Sequence, residues 1–138
     1  MDALFNQKGY AAQKYQIDIR FSVNDLSGLL IAPMDMTVVM NNLLDNAIEA
    51  CQKVPPEGRS IYVQLILKDA LFLSVRNTSL PVTIVENTIA TTKSPAELHG
   101  FGLQNVKTVL EKYQAFFTMR YENGYFSFAA ELPNTLAS

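Results

Sequence analysis

Side chains suited to metal and phosphate chemistry are concentrated in one short stretch, NNLLDNAIEA, at residues 41–50. Three asparagines and one aspartate fall within six residues there, although an interior Asn costs about 0.6 kcal/mol of helix stability relative to Ala. In a helix, Asn42, Asn46 and Glu49 follow i, i+4, i+7 spacing, so their side chains line one ridge. Neutral amide oxygens beside a carboxylate are hard oxygen ligands, which suit Mg²⁺ with its phosphates and waters.

The alternative is that this ridge belongs to a solvated face of an amphipathic helix, together with Asn41 and Asp45 on the same arc. A face exposed only to solvent normally carries Lys, Glu, Gln or Arg, which form helices better than Asn does. On this stretch alone, the ligand-binding and the solvated interpretations both stay open.

A second stretch, HGFGLQNV at residues 99–106, places Gly100 and Gly102 at the start of a predicted helix. A helix N-terminus attracts phosphate through its unpaired N–H groups and the helix dipole, and glycine lets the backbone approach closely. Two glycines before a helix are a weak signal when they occur alone. Their combination with an Asn-rich helix earlier in the chain is a much stronger indication of a phosphate-binding site.

Composition limits the class of protein. The chain has 138 residues, 49% of them hydrophobic and 17% charged, as in one ordinary globular domain. The net charge of −2 excludes a broad electrostatic surface for nucleic acid or an anionic membrane. The single cysteine, Cys51, cannot form an internal disulfide, and its apolar neighbours predict a buried thiol in a reducing compartment. No apolar run approaches the roughly 20 residues that span a bilayer, so we expect a soluble intracellular domain.

Hydrophobic periodicity predicts the elements that position these side chains. The predicted helices are 3–14, 33 to about 53, and 101–113; the predicted strands are 15–23, two within 60–77 that turn at 68–70, and two within 115–132 that turn at Asn123-Gly124. Residues 78–100 have no clear period. We expect 81–97 to be mobile, with Ile84, Val85 and Ile89 in one short helical turn. The pattern predicts a single α+β domain over residues 1–138, a two-layer α/β sandwich whose mixed, mostly antiparallel sheet packs on helices.

The two polar stretches together resemble a known family. NNLLDNAIEA is similar to the N box, and GFGLQNV to the second glycine box, of the GHKL ATPases. This group includes gyrase-type topoisomerases, large heat-shock chaperones, mismatch-repair ATPases and sensor histidine kinases. The run TTKSPAELHGFGLQNV looks most like the peptide-pheromone-receptor branch of bacterial sensor kinases. The resemblance implies an α/β sandwich that holds Mg-ATP between the N-box helix and a mobile lid at about residues 78–100.

The resemblance also implies roles for the asparagines of the ridge. It places Asn46 at the position that ligates the Mg²⁺ bridging the phosphates, and Asn42 where kinases carry an Asn near the phosphates. The family members that hydrolyse ATP with water use a Glu at the position of Asn42 as a base. An amide has no basicity, so this residue favours a kinase over a topoisomerase or chaperone ATPase.

Two positions depart from the common kinase pattern. The first glycine box, Asp-x-Gly-x-Gly, is missing, and Asn77 aligns with the Asp that accepts a hydrogen bond from the adenine amino group. An Asn carbonyl can accept that bond as well; alternatively, Asn77 is a turn residue that closes a strand. Glu49 stands where many kinases have a basic residue at the phosphate, and either holds a Mg²⁺-bound water or extends into solvent.

The lid supplies the remaining candidates of the implied nucleotide site. Thr91, Thr92 and Lys93 offer hydroxyls and a positive charge of the kind that grips phosphate oxygens, and Lys93 is the catalytic candidate beside Asn42 and Asn46. His99 is expected at the lid hinge. The residues at the start of the second helix that the resemblance assigns to the nucleotide are Gly100, Gly102 and Leu103.

The resulting hypothesis is the catalytic and ATP-binding domain of a cytoplasmic histidine kinase module in two-component signalling, with ATP and Mg²⁺ as cofactors. Its partners would be a phosphoacceptor histidine domain, expected upstream of Met1 in a homodimeric, membrane-anchored parent, and indirectly a response regulator. Neither nucleic acid nor direct membrane contact by this domain is expected. The alternatives are a stand-alone serine kinase of the anti-sigma type and a degenerate, non-catalytic binding module.

Overall fold

The computed structural model describes residues 1–85, 88–90 and 100–137 of the chain. Its helices are α1 (Asp2–Lys14), α2 (Pro33–Gln52) and α3 (Gly100–Lys112), with one 3₁₀ turn at Pro56–Gly58. Its strands are β1 (Asp18–Val23), β2 (Ser60–Leu67), β3 (Ala70–Thr78), β4 (Thr83–Val85), β5 (Thr88–Ala90), β6 (Phe116–Glu122) and β7 (Tyr125–Pro133). No helix among the described residues has the length and apolarity needed to cross a membrane.

The main sheet has five strands in the order β1-β2-β3-β7-β6. β1 and β2 are parallel and are connected through α2, whereas the other neighbouring pairs are antiparallel. The helices pack on one face of this sheet, and among the described residues no helix covers the other face, called the open face below. The predicted fold class, an α+β two-layer sandwich with a mixed, mostly antiparallel sheet, is confirmed.

The core lies between the inward face of the sheet and the buried stripe of α2. Along β3 the alternation of period two buries Leu71, Leu73, Val75 and Asn77, while Arg76 points to the open face. The buried residues of α2 are Asp35, Met36, Val39, Met40, Leu43, Leu44, Ala47, Ile48 and Cys51. The same helix therefore carries the centre of the core on one side and the Asn-rich ridge on the other.

Local signals set most element ends. Pro33 begins α2, where a missing N–H breaks no helical hydrogen bond. Asn123 and Gly124 have φ of 53° and 83°, the two positive values that a type I′ hairpin turn requires. The first strand begins at Asp18 and not at residue 15, because Gln16 adopts a positive φ of 59° in the turn after α1.

The predicted helical turn at Ile84, Val85 and Ile89 is wrong. These residues lie in β4 and β5, which pair as antiparallel strands with Ile84 opposite Ile89. Both segments consist of β-branched residues and one alanine, a composition that favours strands over helices. The expected mobility of residues 81–97 falls largely on positions outside the described residues.

Candidate functional site

The Asn-rich ridge of α2 divides between two neighbours. Asp45 faces α1, where its carboxylate lies 2.5 Å from the Lys8 ammonium. Asn42, Asn46 and Glu49 lie on the other flank and are half-buried. The ridge is therefore not a uniformly solvated face, because Asn46 and Glu49 line a cavity.

Gly102 brings the first turn of α3 against this ridge. A β-carbon added to Gly102 would lie 3.3 Å from Asn42 Oδ1 and 3.6 Å from Asn46 Oδ1. Those separations leave little room for any side chain larger than hydrogen. Two amide oxygens from α2 and the first turn of α3, whose N–H groups have no partner within their own helix, therefore occupy one small region.

The orientation of Asn42 is set within its own helix. Its side-chain nitrogen donates a 2.7 Å hydrogen bond to the Val38 carbonyl, one turn earlier. The amide oxygen is therefore the atom directed at Gly102. With the nitrogen engaged, Asn42 presents an acceptor that has no proton-abstracting capacity at neutral pH.

A cavity of about 480 Å³ adjoins the ridge, a volume typical of sites for small organic ligands. Polar groups on its wall include Asn46, Glu49 and Asn77. Its apolar lining residues are Leu43, Ala47, Ala50, Val75, Leu80, Pro81, Val82, Leu103, Phe126 and Phe128. An apolar hollow with a few convergent polar groups can enclose a flat heterocycle while its polar substituents are hydrogen-bonded.

Asn77 lies at one end of this cavity, as the last inward-facing residue of β3. It is 2% exposed and sits opposite Ile61 and Phe126 in the sheet. Its side-chain nitrogen donates a 3.0 Å hydrogen bond to the Thr78 carbonyl, which fixes the amide plane. The interpretation of Asn77 as a turn residue is wrong, because β3 continues through Thr78.

Two lysines that the sequence analysis did not single out also line the cavity, Lys53 after α2 and Lys107 within α3. The Lys107 ammonium lies 5.6 Å from the centroid of the Phe117 ring. The signal for Lys107 was its i, i+4 spacing from Leu103, which places both side chains on one face of α3. Phosphate-binding cations were expected only in residues 78–100, which is why both lysines were missed.

A buried polar cluster joins the N-terminal end of α2 to the C-terminal end of α3. The Tyr113 hydroxyl donates a 2.6 Å hydrogen bond to Asp35 and accepts one of 3.1 Å from the Ala32 N–H. The Lys112 ammonium lies 3.1 Å from the same carboxylate. The hydrogen bond from Tyr113 lowers the pKa of Asp35; burial opposes this shift and Lys112 adds to it. Burial and the hydrogen bond to Asp35 raise the pKa of Tyr113.

The lid candidates fall on positions whose structure is not described. Thr91, Thr92, Lys93 and His99 lie outside the described residues, and Gly100 is described only as the backbone start of α3. Within the described ranges, no group of three His, Cys, Asp or Glu side chains could hold a metal ion. The available donors fit Mg²⁺, which is usually held by one or two protein oxygens together with phosphates and waters.

Comparisons with known proteins agree on the family and fold. Residues 31–133 match the sequence profile of the family described as GHKL domain. The nucleotide-free catalytic domain of histidine kinase ThkA superposes with a TM-score of 0.77 at 18% identity, over 97% of this chain and 89% of that chain. The mycobacterial sensor histidine kinase MprB superposes with a TM-score of 0.63 at 17% identity, over 99% of this chain and 97% of that chain. Full-length ShkA in complex with AMPPNP superposes with a TM-score of 0.64 at 16% identity, over 99% of this chain and 30% of that chain.

The comparison with curated proteins gave no match. Structural likeness at such low identity shows a shared fold, and the family follows from the profile match, which spans well over half of the chain. The matched residues include the Asn ridge, the cavity and the glycine start of α3. This chain belongs to the GHKL family.

Proposed function

We propose that this domain binds Mg-ATP and supplies the γ-phosphoryl group to a histidine on a separate dimerisation domain. The observation that carries the proposal is the approach of Gly102 to the amide oxygens of Asn42 and Asn46, beside an apolar cavity that Asn46 lines. That approach joins phosphate-binding N–H groups and metal-binding oxygens at one point. ShkA, which shares this fold, was solved in complex with AMPPNP, which supports a nucleotide as the ligand.

The cavity would hold the adenine end of the nucleotide. Val75, Phe126 and Phe128 supply apolar walls, and Asn77 offers an amide carbonyl as acceptor for the exocyclic amino group. The hydrogen bond from Asn77 to Thr78 uses one of the two amide hydrogens, and the carbonyl oxygen would be the atom that accepts from the exocyclic amino group. This arrangement substitutes an amide for the carboxylate that is usual in kinases of the family.

The phosphates would lie where α2 and α3 meet. Asn46 would ligate Mg²⁺ through its side-chain oxygen, and bound Mg²⁺ neutralises charge on the phosphate oxygens. The first N–H groups of α3, near Gly100, Gly102 and Leu103, would bind phosphate oxygens directly. Glu49, at the cavity wall, would hold a metal-bound water. Lys93, Thr92 and His99 remain lid candidates, with Lys93 pairing with phosphate and His99 at the hinge.

The same residues would disfavour hydrolysis. Asn42 replaces the Glu that activates water in the hydrolytic members of the family, and an amide cannot take that proton. The domain would therefore position ATP for an incoming imidazole without turning it over rapidly in water. In a cell, we propose that it acts as the cytoplasmic part of a homodimeric sensor kinase that passes phosphate to a response regulator.

A transfer assay tests this function. The domain is mixed with radiolabelled ATP, Mg²⁺ and a separate helical hairpin that carries a phosphoacceptor histidine. We expect acid-labile label on the hairpin, none on the domain alone, and slow release of inorganic phosphate. Label on His99, or rapid hydrolysis without the hairpin, would contradict the assignment of acceptor and base. Acid-stable label on a serine substrate would favour the anti-sigma-type kinase, and absence of ATP binding would favour a non-catalytic module.

A further inference from the structure

The open face of the sheet carries an unusual concentration of arginines. The chain has four arginines, and three of them, Arg20, Arg76 and Arg120, share one cross-strand row with Tyr62 and Ser127. The fourth, Arg59, donates hydrogen bonds to three backbone carbonyls and so stabilises the fold. No lysine lies in the five strands of the main sheet, so these three arginines are the cations that its strands supply.

Within this row, Arg76 and Arg120 flank Ser127. Each is directly opposite Ser127 in the sheet register, on β3 and β6 respectively. Adjacent strands are about 4.8 Å apart, so the two arginine backbones are separated by about 10 Å. Two arginine side chains can reach a common point above the serine across that distance. A shallow depression forms there, lined by Arg76, Arg120, Glu122, Asn123, Tyr125 and Ser127.

The two guanidinium groups are held differently, and both keep hydrogen-bond donors available. The Arg76 guanidinium carbon lies 4.2 Å from the centroid of the Tyr125 ring, and stacking on a ring leaves the N–H edge of the guanidinium open. Among the described residues, no carboxylate lies within ion-pair distance of Arg76. Arg120 has one partner, Glu122, at 3.5 Å, and both of these side chains are mostly exposed, so their pairing is weak.

The charges and donors fit a phosphate group better than a carboxylate. Two guanidinium groups and one carboxylate leave a net positive charge in the depression. Three phosphate oxygens can accept hydrogen bonds from both arginines and from the Ser127 hydroxyl, whereas a carboxylate offers only two oxygens. Glu122 also lines the depression and repels an anion, but the Arg120 guanidinium, 3.5 Å from its carboxylate, offsets that charge.

We propose that Arg76, Ser127 and Arg120 form a second anion site on the open face, for inorganic phosphate or a phosphate monoester. The site is separate from the nucleotide cavity and does not rest on the proposed function. Phe126 and Phe128, the neighbours of Ser127 in β7, line the nucleotide cavity, so the two sites lie on opposite faces of the same strands.

The test is a titration of the isotope-labelled domain with inorganic phosphate, followed through the arginine Nε–H resonances. Chloride is exchanged for phosphate at constant ionic strength, which holds general screening fixed. We expect saturable shifts for Arg76 and Arg120 and none for Arg20. Replacing Arg76 by Gln should weaken phosphate binding about tenfold, because a charged hydrogen-bond donor is lost. If a phosphoserine tripeptide binds more tightly than inorganic phosphate, the ligand of the site is a phosphorylated protein. If inorganic phosphate binds more tightly, the ligand is free phosphate.

Arg20 is the matched control, since it lies in the same row, is exposed, and has a weak partner, Asp18 at 3.4 Å, as Arg120 has in Glu122. It differs in lying opposite Tyr62 and not opposite Ser127. Arg20→Gln should leave phosphate binding unchanged. Equal shifts of all three arginines, equal weakening by Arg20→Gln and Arg76→Gln, or equal response to acetate would each overturn the proposal. Asn46→Ala should not alter the arginine Nε–H shifts that phosphate causes. A result against this anion site therefore leaves the proposed nucleotide site untouched, and the reverse is also true.

Discussion

The two ends of the α2–α3 contact use polar residues in opposite ways. At the N-terminal end of α2, the Asp35 carboxylate is saturated by Tyr113 and Lys112. In the middle of α2, Asn42 and Asn46 direct their amide oxygens at a glycine, which has no side chain to donate to them. The first arrangement completes hydrogen bonds within the protein, and the second leaves acceptors at the edge of a cavity.

We propose that this difference separates a polar group that serves the fold from one that serves a ligand. Buried groups that serve the fold are satisfied by the protein itself, because an unpaired one is destabilising. The ridge asparagines lower helix propensity, and the oxygens of Asn42 and Asn46 lie beside a glycine that offers no side-chain donor. Removing the first kind of residue should therefore lower stability, and removing the second kind should lower ligand affinity.

The largest expected effect on stability is that of Tyr113→Phe. This change removes a hydroxyl that bonds both Asp35 and the Ala32 N–H, so it leaves a buried carboxylate short of a donor. We expect the free energy of unfolding to fall by about 2–3 kcal/mol, as measured by urea denaturation. At a temperature where the variant is folded, its affinity for Mg-ATP should be unchanged.

The control for that change is Tyr62→Phe on the open face. The Tyr62 hydroxyl accepts a 3.3 Å hydrogen bond from Gln64 in an exposed position, so its loss should alter stability by less than about 0.5 kcal/mol. Equal destabilisation by the two substitutions would show that the Asp35 cluster has no special structural role.

The next effect is on affinity and concerns Gly102→Ala. The added methyl would press on Asn42 Oδ1 at 3.3 Å and displace the oxygens that face the ligand. We expect Mg-ATP affinity to fall about tenfold, or about 1.4 kcal/mol, by calorimetric titration. Stability should change little, because Ala favours helix at a position without a positive φ and the displacement of Asn42 offsets that gain.

Gly9→Ala in α1 separates the helix-propensity effect from the steric one. A β-carbon at Gly9 would meet no atom within 4 Å, so this variant should gain about 0.5–1 kcal/mol of stability and bind Mg-ATP normally. A Gly102→Ala protein with unchanged affinity would mean that the approach of α3 to the ridge is not functional.

The smallest effect is on the pH dependence of stability. The Tyr113 hydrogen bond lowers the pKa of Asp35 below its ordinary value of 3.8. A carboxyl whose pKa is lowered by folding contributes stability that is present above the ordinary pKa and is lost as the pH falls through the folded value. Below about pH 4, stability should therefore decline less steeply in Tyr113→Phe than in the wild type. Parallel acid-denaturation curves would contradict this.

Local patterns were enough to predict the helices and the strands of the main sheet. The i, i+4, i+7 ridge, the Asn123-Gly124 turn and the alternation along β3 each depend on residues close in sequence, and the structure has all of them. The two glycines were correctly placed at the start of a helix for the same reason. Resemblance to the GHKL family then supplied the order of these elements in space.

Contacts between distant segments could not be predicted in this way. The pairing of Asp45 with Lys8 joins residues 37 positions apart, and no local period indicates it. The place of Lys107 on the cavity wall depends on how α3 packs against the sheet. The pairing of β4 with β5 was missed because their three-residue strands are too short to show a period.

The central claim is that Asn46 binds Mg²⁺ for the nucleotide, and the most direct test compares Asn46→Ala with Asn41→Ala. Both substitutions replace an α2 asparagine by a better helix former, but Asn41 does not line the cavity. The measurement is the shift in melting temperature on adding ATP, with and without Mg²⁺. We expect a Mg²⁺-dependent shift in the wild type and Asn41→Ala and none in Asn46→Ala, and a full shift in Asn46→Ala would contradict the account.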